Sequence, residues 1–162
     1  MPRKRPRALR AQQPLRAPRG LPAERIHGLS LRTSRAIERV ERRSDDYYVH
    51  RGATAHALRR YRAFLRPPGR RPRYPRHSEC DCRGCSFDDV RHARDVLETV
   101  LRQLPPRPRA ELRHRVRALD AEYAARTLPD PFADRRQWRA HLWWRRRLAN
   151  GHEGAPPWTA KT

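Results

Sequence analysis

SFDDVRHARDVLETVLRQLPPRPRAELRHRVRALDAEYAARTLPDP, residues 86–131, is the stretch that decides the fold. Phe87, Val90, Ala93, Leu97, Val100, Leu101 and Leu104 recur at steps of three and four, the period of one helix face. Ser86 stands where an N-cap belongs, and Asp89 three residues on completes a capping-box-like pair with Asp in place of Glu. Asp88 and Asp89 also suit the positive end of the helix dipole. Pro105-Pro106 stops this helix. Pro108 is tolerated in a first turn, and Leu112, Val116, Leu119 and Tyr123 then form a second apolar stripe that closes at Thr127-Leu128-Pro129. Two helices joined by so few residues are expected to lie antiparallel and bury their stripes against each other.

The same signals continue in both directions. Asp130-Pro131 reads as a third start, an N-cap followed by proline at N1. Phe132, Trp138, Leu142 and either Trp143 or Leu148 would give that helix its buried face, and Asn150-Gly151 its stop. Upstream, Ser34 is the expected N-cap of a helix whose face carries Ile37, Val40, Ser44 and Tyr47 or Tyr48, with Glu38 and Arg42 paired at i,i+4. Gly52 breaks it, Thr54 is a fresh N-cap, and Leu58, Tyr61 and Leu65 form a short second stripe before Pro67-Pro68-Gly69. A helix-turn-helix is one reading of this pair, although any helical hairpin around a glycine gives the same signal. β-branched residues are scarce and scattered, so no strand is expected.

The expected fold is therefore mainly α: a small helical bundle of about three core helices plus a basic helical pair. The core is assigned to 86–150 and the pair to 34–66. A basic Pro/Arg linker and a Cys/His knuckle fill 67–85, a disordered basic arm occupies 1–33, and a tail 151–162. Composition agrees with that division. Leu, Ile, Val and Phe make up about 16% of the 162 residues, below the ~20% at which a highly charged chain stops packing throughout. Pro2, Pro6, Pro14, Pro18 and Pro22 forbid a continuous helix in the arm. No apolar run reaches the ~18 residues of a membrane span, and no apolar stretch follows the basic start as a secretory signal requires.

Charge points to a partner. The chain carries 39 Lys and Arg against 17 Asp and Glu, a formal net charge of +22. All but Lys4 and Lys161 of the basic residues are Arg, as a GC-rich genome would favour. Base composition does not explain the distribution, however. Residues 1–76 hold 22 basic and 5 acidic residues, residues 77–130 hold 10 of each, and residues 131–162 hold 7 and 2. A neutral block between two basic flanks reads as a folded centre with contact surfaces on either side. Such a surplus calls for a polyanion, and nucleic-acid phosphate rewards arginine through bidentate bonds and counterion release. An anionic membrane would want Leu- and Phe-rich faces beside the charge, and the arm has few. The expected contacts with DNA or RNA are Arg3, Lys4, Arg5, Arg7 and Arg10 in the arm. Arg59, Arg60 and Arg62 in the pair, Arg70, Arg71 and Arg73 in the linker, and Arg145, Arg146 and Arg147 near the C-terminus join them.

Two further constellations carry chemistry. His77-x2-Cys80-x-Cys82-x2-Cys85 places four potential ligands within nine residues, with Gly84 inside the last turn. A structural zinc is the expected cofactor, with free or redox-active thiols as the rival reading, Cys85 foremost because a helix N-terminus lowers a thiol pKa. His92, His50 and His56 are alternative fourth ligands. The second constellation runs from Trp138 to Arg147, where Trp138, Trp143 and Trp144 stand among Arg139, Arg145, Arg146 and Arg147. Trp138 is expected in the core, while one of Trp143 and Trp144 must face outward from a helix and offer a docking surface to a protein partner. No Gly-rich phosphate loop, nucleophile elbow or His-Glu-x-x-His motif is present, and Asp45-Asp46 is expected to cap rather than to hold a catalytic ion. The function expected is thus a cytoplasmic, non-enzymatic nucleic-acid-binding protein, nucleoid- or ribosome-associated. A helical assembly protein and a thiol or metal sensor are the alternatives.

Overall fold

The computed structural model describes residues 25–76, 89–135 and 139–149. Four helices form among them: α1 Leu31–Arg43, α2 Ala53–Leu65, α3 Val90–Gln103 and α4 Pro106–Arg126. The fold is mainly α, as expected. Two 3-10 turns follow, Ala133–Arg135 and Trp143–Arg146.

Each helix starts for a local reason, though not always the expected one. The N-cap of α1 is Ser30, whose Oγ accepts from Thr33 N at 3.2 Å. Ser34 lies inside the helix and returns its hydroxyl to the Ser30 carbonyl at 2.9 Å, so the expected start is four residues late. The helix ends at Arg43, before Tyr47 and Tyr48, and its last-turn Arg42 and Arg43 suit the negative dipole end. Glu38 pairs with Arg51 at 3.1 Å rather than with Arg42.

α2 takes Gly52 as its N-cap, at φ +85°, and has no side-chain cap of its own. Glu41 of α1 supplies one instead. Its carboxylate accepts from Gly52 N and Thr54 N, both at 2.8 Å, and so satisfies two of the orphan donors of the first turn. A buried glutamate is thereby matched to the positive end of a neighbouring helix. Thr54, expected to cap, is itself buried inside the turn. The N-cap of α3 is Asp89, whose Oδ1 accepts from Arg91 N at 2.8 Å. The expected Ser86 lies outside the described residues. Pro105 and Pro106 separate α3 from α4, and Pro106 takes the N1 position.

One hydrophobic core draws on all four helices: Ile37 from α1, Leu58 and Tyr61 from α2, Leu97 and Val100 from α3, Leu112, Val116 and Tyr123 from α4. The apolar stripes read from the sequence are the ones buried. Their partners differ, because α3 packs most closely on α2 and only secondarily on α4. The basic helical pair therefore shares the core instead of standing beside it. The linker meets the end of α4, where Arg73 N donates to the Arg126 carbonyl at 2.7 Å and Pro75 is buried.

The expected third core helix, from Asp130 to Asn150, is not what the described residues form. After α4 the chain doubles back. Leu148 N donates to the Leu128 carbonyl at 2.8 Å and Asp130 N to the Arg146 carbonyl at 3.0 Å, around an antiparallel bridge between Pro129 and Arg147. Asp130 caps the turn at Phe132, 2.9 Å away, instead of a long helix. The 3-10 turn at 143–146 buries Trp144 (2% exposed) and half-buries Trp143 against the same core. A regular helix would turn one of the two outward, whereas here both rings reach the core and Trp143 keeps only part of its surface exposed. Trp138 lies outside the described residues.

Candidate nucleic-acid interface

The exposed face of α1 is made of arginine. Arg32, Arg35, Arg39, Arg42 and Arg43 are all exposed and recur at steps of three and four. At ~100° per residue they fall within an arc of about 100°, and at 1.5 Å per residue they span roughly 16 Å of helix axis. The two glutamates of this helix do not share that face, since Glu38 is half-buried against Arg51 and Glu41 is buried on α2. The mean axial step is about 4 Å per guanidinium, somewhat wider than the ~3.4 Å per phosphate along one strand of a DNA duplex. None of these five was among the contacts expected from sequence. A helical wheel over 31–43 finds them, and four of the five already follow the expected start at Ser34.

Arginines from other elements converge on the far side of α1. A cavity of about 520 Å³ between α1 and α2 is lined by Arg25, Arg51, Arg59 and Arg62, with Glu38 and Glu41 among them, around an apolar floor of Ile37, Ala55 and Leu58. Arg62 Nη2 donates to the His27 carbonyl at 3.3 Å. Burial, followed by the charges of Arg115 and Arg66, holds its pKa below the usual arginine value. Arg115 reaches this cluster from α4 because Gly28, at φ +82°, leaves room: a Cβ there would meet the Arg115 guanidinium at 3.0 Å.

Among the expected contacts, Arg59, Arg70 and Arg71 are exposed and Arg60 and Arg62 half-buried. Arg73 lies over the Phe64 ring at 4.9 Å. Arg3, Lys4, Arg5, Arg7 and Arg10 lie outside the described residues. The C-terminal trio is committed to the protein itself. Arg145 is 4% exposed; its Nε donates to Asp95 Oδ2 at 3.1 Å, and Asp89 stands 4.0 Å away. Arg146 pairs with Asp134. Arg147 donates to Thr127 Oγ1 and to the Ala124 carbonyl, both at 2.8 Å. In this structure all three pair within the protein, Arg145 in the interior and Arg146 and Arg147 half-buried.

The same chemistry extends inward. Arg94 of α3 binds Asp120 of α4 at 2.9 Å and Glu98 at 3.1 Å, and lies over the Trp144 ring at 4.2 Å. Tyr61 donates to Asp120 Oδ1 at 2.8 Å, and Trp144 Nε1 to Asp95 Oδ1 at 2.7 Å. Arg91 and Asp89 pair at 2.7 Å, both buried. This network joins α2, α3, α4 and the last turn, and it consumes arginines that a charge count assigns to the surface.

A second tie anchors the start of α1 to α4. Glu111 accepts from Ser30 N at 2.6 Å, from Ser30 Oγ at 2.7 Å and from the Thr33 hydroxyl. Burial pushes its carboxyl up, but these hydrogen bonds and the charge of Arg25 outweigh that and hold it below the usual carboxylate range. The stabilisation is present above the unfolded glutamate pKa of ~4.3 and is lost as pH falls through the depressed folded value. Thermal melts of Glu111→Gln should therefore lie below wild type at pH 7 and converge on it under acid. Parallel melting curves with an unchanging gap would remove this tie.

Cation-binding ligands are a different matter. No group of three or more His, Cys, Asp or Glu among the described residues is placed to hold a metal. His77, Cys80, Cys82 and Cys85 lie outside the described residues. No described helix is long and apolar enough to cross a membrane. Comparison with known protein families, curated proteins and solved structures finds no match to this chain.

Proposed function

We propose that this chain is a non-enzymatic nucleic-acid-binding protein that grips the phosphate backbone of DNA or RNA with arginine. The observation that carries the reading is the five-arginine face of α1, which has no carboxylate on it and steps along the axis by about 4 Å on average, against ~3.4 Å per phosphate of a duplex strand. Arg59, Arg70 and Arg71, and the arm residues Arg3 to Arg10, would extend the contact. Guanidinium groups on phosphate position a nucleic acid without reading its bases, so binding should depend weakly on sequence. In the same reading His77, Cys80, Cys82 and Cys85 hold a structural zinc ahead of α3, which metal analysis of the purified chain tests at one zinc per molecule.

Salt dependence tests the main reading. With about six phosphates contacted, log affinity for duplex DNA or RNA should fall against log salt with a slope near −5. A slope near zero, or no binding at low salt by the folded chain, would overturn it.

A further inference from the structure

A second cavity, about 390 Å³, opens between the loop that ends α1, the first half of α2 and the start of α3. Its size falls in the ~300–1,000 Å³ range of small-ligand sites. Its chemistry is one-sided. Arg51, Arg59 and Arg60 line it together with three imidazoles, those of His50, His56 and His92, and no described lining residue is a carboxylate. The floor is apolar, built from Ala53, Ala57, Ala93 and Val96. Tyr48 forms an aromatic wall with His92, their rings edge to face at 5.0 Å.

Beside that wall stands Tyr47, 81% exposed, whose ring meets Tyr48 edge to face at 5.3 Å. The turn that presents it is fixed, because Asp46 Oδ1 accepts from Tyr48 N at 2.9 Å. Folding gives Tyr47 no reason to be aromatic, since its ring buries almost nothing. A guanidinium-rich cavity with an apolar floor, and an exposed aromatic in contact with its Tyr48 wall, matches two parts of one ligand. The phosphate goes to the cations and the base to the apolar and aromatic surfaces.

We infer that this cavity receives one nucleotide unit of a single strand, with its phosphate toward Arg59, Arg60 and His56 and its base against Tyr47, Tyr48 and the alanine floor. The inference rests on the nucleic-acid reading and deepens it. Duplex bases are stacked on both faces and cannot enter, whereas an unpaired base can be splayed into a pocket. The positive field of the cavity is felt by His56, whose pKa is lowered by burial and then by Arg60, Arg59 and His50. An anion in the cavity offsets that field.

The test uses the full chain with labelled pyrimidine-rich RNA and DNA strands, the same strands annealed to their complements, and a free pyrimidine nucleoside monophosphate. Tyr47→Ala removes an exposed ring, and His56→Glu puts a negative charge at an exposed position, so both variants should keep the wild-type helical signal. Stacking of one base on an aromatic contributes ~1–3 kcal/mol, so Tyr47→Ala should weaken single-strand binding about tenfold and leave duplex binding within about twofold, while His56→Glu, beside Arg59, should weaken single-strand binding more than duplex binding. Tyr47→Phe should bind as wild type. Equal losses on strand and duplex, or unchanged strand binding in both variants, would overturn the inference. So would a free monophosphate that binds as tightly as the strand, since the ligand would then be the nucleotide alone. If both variants are silent while wild type still binds strands and duplexes, this inference fails alone. If wild type binds neither, the proposed function fails with it.

Discussion

Asp95→Ala should destabilise the protein by about 3 kcal/mol, the lower end of what removing one partner of a buried pair does. Asp95 is the acceptor for both Trp144 Nε1 and the Arg145 guanidinium. Its loss leaves an indole N–H without its acceptor and takes the nearest described carboxylate from a guanidinium that is 4% exposed, with Asp89 4.0 Å away. Asp95 itself is only partly exposed, so solvent screening discounts the figure rather than removing it. The effect should appear as a fall in the urea midpoint at constant slope. Asp95→Asn, which keeps an acceptor for the indole but no charge, should fall between. Adding Arg145→Met to Asp95→Ala should recover much of the loss, because replacing both ions with apolar volume avoids the stranded charge. A loss under ~1 kcal/mol in Asp95→Ala would show that the last turn is held by packing alone.

The second large effect falls on binding. Reversing two charges of the α1 face, Arg35→Glu with Arg39→Glu, should lower duplex affinity about 100-fold at low salt. Charge-assisted hydrogen bonds contribute ~1.5–3 kcal/mol each, and two of them amount to roughly two factors of ten. The salt slope should become shallower by about two, one for each phosphate contact removed. Both positions are exposed and neither takes part in the core, so melting temperature should change little. The same reversal at Arg113 and Arg117, exposed on α4, changes net charge equally. Screening beyond ~10 Å confines its effect to less than tenfold if α1 is the contact face. Equal losses from the two pairs would mean that the protein acts through total charge and that the α1 face has no special part.

What was legible in the sequence was whatever short-range rules govern. The stripes Leu97–Leu104 and Leu112–Tyr123 are buried because helical period and side-chain apolarity are properties of a few turns. Pro105-Pro106 and Gly52 end or begin helices because their backbone limits act on themselves and their neighbours. The surplus of arginine ahead of a neutral block was equally readable. Its most regular expression, the α1 face, was not singled out, although Arg35, Arg39, Arg42 and Arg43 already stand at helical spacing after Ser34.

The candidate site was less legible. Tyr47 and Tyr48 were assigned to a helix face, whereas a turn capped by Asp46 divides them, one outward and one inward. His50, His56 and His92 are separated by up to 42 positions and meet only because α2 packs on α3.

The sequence by itself determined a mainly helical chain, the positions of its apolar stripes and the uneven spread of its positive charge. Only the tertiary structure decided which arginines are surface and which are structure. Arg94 meets Asp120 across 26 residues and Arg145 meets Asp95 across 50. It also replaced an expected helix after Asp130 with a doubled-back turn, which brings both Trp143 and Trp144 against the core. The physical reason is common to all three. A guanidinium's place depends on which carboxylate stands within about 3 Å of it, and distance in space is set by packing between helices, not by order along the chain.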